Sequence, residues 1–206
     1  MRACPLQARA AWPASCHPGR QEAGRTPYVV PYGCSNQLGA TGYLRAALGI
    51  AHQTEARDIG LTHLVHASGT GGTQAGLVAG FGAMDLDIEV VGIDVDADPL
   101  GVDRRVGARL TELTEALGLP PMLDRIKIDS RYYAGAYGVA DDAVVAAIQL
   151  GARLEALLLD PVYSGKGFAG LVGLVRSGSI PSDAQVLFLH TGGDPALFAH
   201  RSLFAE

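Results

Sequence analysis

The sequence predicts an α/β domain built on a doubly wound, mostly parallel sheet. Three observations carry that expectation. Short β-branched runs alternate with longer stretches of helical apolar spacing. The run over residues 88–95 is almost continuously apolar, as in a strand buried on both faces. A glycine-rich turn joins one run directly to a helix.

In chain order, Tyr28-Val29-Val30 reads as a short strand bounded by prolines. Residues 38–57 place Leu44, Ala47, Leu48 and Ala51 at helical intervals. His63-Leu64-Val65-His66 is a second strand, and residues 74–83 form a helix of small residues. After the strand at 88–95, residues 102–117 bring Leu110, Leu113 and Leu117 to one helical face. Ile126-Lys127-Ile128 is a brief strand. Helices at 143–158 and 169–177, a strand at 186–189 and a closing helix at 195–204 complete the order. There is no internal repeat of solenoid length.

Composition narrows the function classes. Hydrophobic residues are 48% of the chain and charged residues 18%, enough apolar material for a sizeable core. The net charge is -5 and no basic run exceeds Arg104-Arg105, which argues against a nucleic-acid surface. No apolar stretch approaches the roughly 18 residues a membrane span needs. Cys4, Cys16 and Cys34 have no metal-ligand spacing and an odd count, which fits a reducing cytoplasm and gives no metal site. Residues 1–26 hold Pro5, Pro13, Pro18 and Trp12 with no helical or strand period. They read as an irregular segment, and as the product of a misplaced start or shifted frame. Residues 27–206 read as the domain proper, and an incomplete one.

The strongest local signal is Ser68-Gly69-Thr70-Gly71-Gly72-Thr73, between the strand at 63–66 and the helix at 74–83. Glycines let backbone amides converge on one oxyanion, and the helix amino terminus adds partial positive charge behind them. Ser68, Thr70 and Thr73 can add hydroxyl donors. No Lys-Ser/Thr follows, so this is not a Walker loop, and the dinucleotide fingerprint is absent. A monophosphate held without lysine or metal suits pyridoxal phosphate or flavin mononucleotide. The plain alternative is a tight strand-to-helix turn that binds nothing.

Two tyrosines, Tyr137 in Ala136-Tyr137-Gly138 and Tyr163 in Asp160-Pro161-Val162-Tyr163-Ser164-Gly165-Lys166, flank the helix at 143–158. That placement lets both return to one face of the sheet. Convergent buried phenols mean either packing or acid/base chemistry.

Five segments in this order carry a resemblance. They are Tyr28-Val29-Val30-Pro31 leading to Ser35-Asn36-Gln37-Leu38-Gly39, the glycine loop with Gln74-Ala75-Gly76, Tyr137-Gly138, Asp160 to Lys166, and His190-Thr191-Gly192-Gly193. Together they resemble the ACC deaminase / D-cysteine desulfhydrase family of fold-type II pyridoxal-phosphate enzymes, over about residues 25–205. The chain is also similar to L-cysteate sulfo-lyase of the same group.

The resemblance implies that Ser68, Gly69, Thr70, Gly71, Gly72 and Thr73 hold the cofactor phosphate. It makes Tyr137 and Tyr163 the active-site tyrosines, and puts Thr191 or Ser164 opposite the pyridine nitrogen. It implies a cofactor, pyridoxal 5'-phosphate, a small amino-acid substrate and a homodimer in the full-length enzyme. The implied reaction is β-elimination of sulfide or sulfite to give pyruvate and ammonia. The alternatives are 1-aminocyclopropane-1-carboxylate deamination, or a fragment that binds cofactor or another anion without catalysis. A neutral Ser164, where the deaminase has an acid, favours the sulfur lyase.

Departures from the family pattern matter. Cys34 stands where the family has a second small residue, and is expected as a packed side chain. The family's cofactor-linked lysine lies in an Asn-Lys-x-Arg-Lys segment that this sequence lacks. Its lysines are Lys127 and Lys166, the latter expected to be a phosphate-side or surface cation. The chain is therefore expected to be truncated and inactive or nearly so. His63 and His66 read as one buried and one solvent-facing residue, and Asp94, Asp96 and Asp98 as a solvated strand-end turn.

Overall fold

A computed structural model describes residues 30–96 and 99–204. The strand expected at Tyr28-Val29-Val30 falls largely outside the described residues, and Val30 itself belongs to no regular element. Among the described residues the elements run α1 Gln37–Glu55, β1 Leu61–Ser68, α2 Gly72–Ala83, β2 Glu89–Asp94 and α3 Pro99–Leu117. They continue with β3 Lys127–Asp129, α4 Asp142–Glu155, α5 Ser164–Arg176, β4 Gln185–Leu189 and α6 Pro195–Ala199. No helix among the described residues is long and apolar enough to cross a membrane.

The four strands form one sheet in the order β3-β2-β1-β4, and each neighbouring pair is parallel. The expected α/β class is the observed one, with helices on both faces. Adjacent strand residues point to opposite sides, and the sequence of β1 shows this directly. Leu64 packs with Val90, Leu77, Phe81, Leu110 and Leu113 under α1, α2 and α3. Val65 packs with Val91, Ile93, Leu174 and Ile180 under α5. A third cluster, Val144, Ile148, Leu159 and Ala169, joins α4 to α5. Burial on both faces explains why β2 shows no polar alternation.

Helix ends follow local chemistry. Asn36 caps α1 by accepting from the Gly39 amide at 2.8 Å, and Asp141 caps α4 by accepting from Val144 at 2.9 Å. α4 stops at Glu155, three residues before the expected end, because Ala156 turns left-handed at φ 52°. The Leu157 amide then bonds the Gly151 carbonyl at 3.1 Å and returns Leu157 to the core. The closing helix is likewise shorter than expected, with a 3₁₀ turn at Arg201–Leu203 after it. α2 begins at Gly72 and α5 at Ser164, both earlier than expected. Each early start brings a helix amino terminus to the carboxyl edge of the sheet.

Candidate active site

The turn between β1 and α2 is shaped by Gly71, whose φ of 90° few side chains tolerate. A Cβ there would also lie 2.8 Å from the Val106 nitrogen of α3. Among the described residues no acceptor takes the amides of Thr70, Gly71, Gly72 and Thr73. They are the orphan donors of the α2 amino terminus, left free at the sheet edge where ligands of such sheets bind. Thr70 Oγ1 shares a hydrogen bond with Ser35 Oγ at 2.5 Å, which ties the turn before α1 to this loop.

Gly69, Thr70, Thr73, Tyr137, Tyr163 and Thr191 line one cavity of about 290 Å³. The sequence elements expected to converge therefore do so. Four expected residues do not line the cavity: Gly71 and Gly72 are buried in the turn, and Ser68 and Ser164 are engaged elsewhere. Ser68 is buried and its hydroxyl donates to Gln74 Oε1 at 2.9 Å; Gln74 in turn donates to the Lys127 carbonyl at 2.7 Å. Ser164 is buried in the turn below, donating to Asp160 Oδ1 at 2.6 Å. Strand alternation turns Ser68 away and the α5 cap engages Ser164, so of Thr191 and Ser164 only Thr191 lines the cavity. Ser164 bonds Asp160 and does not line the cavity, so its neutral side chain does not separate the two branches of the family there.

Tyr163 is held by the residue that opens its motif. Asp160 Oδ2 accepts the Val162 and Tyr163 amides, each at 2.8 Å, and Oδ1 accepts the Ser164 amide at 2.8 Å. One buried carboxylate thus winds the turn and sets the start of α5. The Tyr163 hydroxyl donates to the Ala67 carbonyl at 3.1 Å. α5 reaches β1 this closely because a Cβ at Gly167 would lie 2.9 Å from the Ala67 nitrogen. Burial pushes the Tyr163 phenol well above its ordinary pKa, and neighbouring Tyr43, Tyr137 and Tyr32 add to this. Burial also raises Tyr137, which hydrogen-bonds Tyr32.

Lys166 is neither a surface cation nor a phosphate ligand. It is fully buried, and Nζ donates to the carbonyls of Tyr133 and Ala136, each at 2.7 Å, with Val95 at 3.5 Å. Burial lowers its pKa, opposed by Asp141, Asp94, Asp96 and Asp160. The other lysine, Lys127, lines a separate cleft at the β3 edge.

Further expectations are corrected by burial. Asp94 is fully buried, with Oδ1 accepting the Asp96 amide at 2.8 Å, so the strand-end turn is not solvated at that residue; Asp98 lies outside the described residues. Cys34 is exposed, not packed. His66 is the buried member of the histidine pair, as expected, while His63 is half-buried rather than fully solvent-facing. No group of His, Cys, Asp or Glu among the described residues is arranged to hold a metal.

Tyr32 and Tyr43 also line the cavity and were not expected as site residues, and Asp96, expected in a solvated turn, lines it too. A lone lysine between Gly165 and Gly167 in an apolar helix is a burial signal the sequence does contain. Nothing in the sequence separates Arg105 from Arg104, yet Arg105 Nε donates to the Gly69 carbonyl at 2.9 Å. A larger groove of about 540 Å³, lined by Ile148, Leu197, Phe198 and Phe204 among others, is mainly apolar. Its polar lining is Gln149 and Arg201, whereas the smaller cavity gathers threonines, tyrosines and a carboxylate, so the smaller cavity is the better place for chemistry.

A glycine-rich helix amino terminus whose Gly69, Thr70 and Thr73 share a cavity with two phenols, at the carboxyl edge of a parallel sheet, is suited to a small phosphorylated cofactor. The chain belongs to the pyridoxal-phosphate dependent enzyme family, whose pattern matches residues 15–192. It is 42% identical over 177 residues to D-cysteine desulfhydrase of Salmonella newport (strain SL254), covering 86% of this chain and 53% of that protein. The desulfhydrase of Salmonella typhimurium (strain LT2) matches equally. The crystal structure of an ACC deaminase homologue superposes with a TM-score of 0.81 at 35% identity, over 90% of this chain and 55% of that one. A hydrogen sulfide-producing enzyme shares the fold alone, with a TM-score of 0.54 at 14% identity over 84% of this chain and 49% of that one. The chain spans about half the length of the curated relatives it matches.

The family's cofactor is pyridoxal phosphate. The free amides at Thr70 to Thr73 fit its phosphate. No lysine amine reaches the cavity to meet its aldehyde, since Lys166 is engaged by carbonyls and Lys127 lies elsewhere.

Proposed function

We propose that this chain carries the cofactor-phosphate and tyrosine half of a D-cysteine desulfhydrase-type site, which takes sulfide from a small amino acid. The observation that supports it is the single cavity shared by the free-amide loop and both tyrosines. Cysteine and water would yield hydrogen sulfide, pyruvate and ammonia. When bound, pyridoxal phosphate supplies the electron sink for the bond broken at the substrate α-carbon.

The residues of this chain do the rest. The amides of Thr70 to Thr73 and the Thr73 hydroxyl grip the phosphate dianion, helped by the α2 dipole. Thr191 bounds the cavity on the β4 side. Burial keeps the Tyr163 phenol protonated at neutral pH, so its hydroxyl can give a proton to the departing sulfur but is a poor base there. Tyr137, bonded to Tyr32, is the second proton carrier at the same cavity. Sulfur elimination is favoured over cyclopropane opening by the 42% identity to desulfhydrases. A homodimer and a cytoplasmic site of action are part of the same proposal.

Because neither lysine amine reaches the cavity, a chain of these 206 residues is expected to bind the cofactor noncovalently and turn over little or nothing. The test is equilibrium titration of the chain with pyridoxal phosphate, pyridoxal and inorganic phosphate. Alongside it, sulfide and pyruvate release from D-cysteine is assayed. Saturable binding that inorganic phosphate competes away is expected, with sulfide release near background. No binding overturns the cofactor reading. Rapid sulfide release overturns the expectation of inactivity.

A further inference from the structure

Resting on that cofactor reading, we infer that Arg105 is a positioning residue for the phosphate cradle. It fixes the Gly69–Thr70 peptide so that the Thr70 amide is presented to the anion.

The geometry is specific. Arg105, on α3, donates from Nε to the Gly69 carbonyl at 2.9 Å and from its terminal nitrogen to Asp96 Oδ2 at 2.9 Å. Gly69, Thr70 and Asp96 line the cavity, whereas Arg105 stands behind them. There are no cis peptides among the described residues, so the Gly69 carbonyl and the Thr70 amide point in opposite directions across one planar unit. Pulling the carbonyl back onto Arg105 therefore turns the amide away from Arg105. Gly69 has no Cβ to restrict its own φ and ψ, so the side-chain bond from Arg105 is what orients its carbonyl. The backbone of the same helix turn also abuts Gly71, with the Arg105 carbonyl carbon 3.0 Å from where a Cβ would lie. α3 thus braces two consecutive stretches of the loop, one through a side chain and one through its backbone.

The pair with Asp96 has a second consequence. A carboxylate lining a phosphate site repels its ligand unless it is neutralised, and the guanidinium of Arg105 does this while being oriented by it. Lysine could keep the charge but could not bridge both oxygens from one rigid fork.

The test compares wild type, Arg105→Met, Arg105→Lys and the double variant Arg105→Met/Asp96→Asn. Affinities are measured by equilibrium dialysis for pyridoxal phosphate, pyridoxal and inorganic phosphate, with circular dichroism confirming fold. Arg105→Met is expected to weaken pyridoxal phosphate and inorganic phosphate at least tenfold while changing pyridoxal less than twofold. Arg105→Lys, the variant least disturbing to folding, is expected to lose affinity for the two phosphates in the same selective way, by a smaller factor. The double variant should stay weak, because removing the Asp96 charge does not restore the peptide orientation. Full recovery in the double variant overturns the inference in favour of simple charge shielding. Unchanged phosphate binding in Arg105→Met, or equal losses for pyridoxal and its phosphate, also overturns it. If wild type itself does not prefer the phosphorylated ligand, the cofactor reading fails first.

Discussion

Lys166 Nζ lies 2.7 Å from the carbonyl oxygen of Ala136, the residue immediately before Tyr137. Lys166 also stands one turn into the helix that Tyr163 precedes. One buried amine therefore ties the segment carrying one tyrosine to the helix that places the other. It holds the Tyr133 carbonyl as well, so the loop is pinned at two points.

Replacing Lys166 with Met would keep much of the volume and delete those bonds. Charged hydrogen bonds contribute roughly 1.5–3 kcal/mol each, and orphaned carbonyls add cost, while relief of lysine burial offsets part. A net loss of about 3 kcal/mol is expected in urea unfolding. Amide hydrogen exchange over 130–139 should accelerate more than over β1 and β2. Exchange as slow as in wild type would remove the pinning role.

Gly71→Ala meets two obstacles, a positive φ and the α3 backbone at 2.8 Å. The left-handed backbone alone costs about 1–2 kcal/mol for a residue with a Cβ, and the contact forces the loop outward. The stability loss should exceed about 2 kcal/mol, with inorganic phosphate affinity falling at least tenfold. Gly69→Ala, at a position with room for a methyl group, should cost far less in stability. Equal effects at the two positions would count against the loop geometry.

His66 is fully buried, its Nδ1 2.7 Å from the Ala67 carbonyl and its Nε2 without a partner. Burial pushes its pKa down to about 4 from 6.5, opposed by that hydrogen bond. The unfolded chain therefore binds this proton first as pH falls below 6.5, and folding loses stability down to about pH 4. The loss is on the order of 3 kcal/mol over that window. His66→Asn should flatten the dependence of the urea midpoint on pH between those limits. An unchanged slope would refute the assignment.

Tyr163 behaves in the opposite direction. Its folded pKa is raised by burial, so its contribution persists below the ordinary phenol value and is lost as pH climbs above 10. In an absorbance titration of the folded chain, Tyr163 and Tyr137 should ionise later than the ordinary phenol value. Tyr163→Phe removes one late phenol and the bond to Ala67, costing about 1 kcal/mol at neutral pH. A titration curve identical to wild type would contradict this.

Much of the fold was legible because periodicity survives in the sequence. Leu64 and Val65 already imply two buried faces, and Leu110 with Leu113 marks the face of α3 that covers one of them. Helix ends were less legible. The stop at Ala156 depends on a left-handed turn that no glycine announces. Of the cavity lining, Gly69, Thr70, Thr73, Tyr137, Tyr163 and Thr191 could be picked out by residue type and order. Ser68 and Ser164 share that chemistry but point elsewhere, because a hydroxyl's direction depends on the strand register and on the carboxylate beneath it.

The chain's order of residues determined the α/β class, the phosphate-type loop and the family, since apolar period, glycine placement and motif order are properties of one dimension. Only the tertiary structure decided which polar groups face the cavity and which are consumed by the backbone. Lys166 shows why. In sequence it is a cation beside a tyrosine motif. In the fold, three carbonyls from two distant segments surround it, and a buried charge must bond whatever chain arrives there.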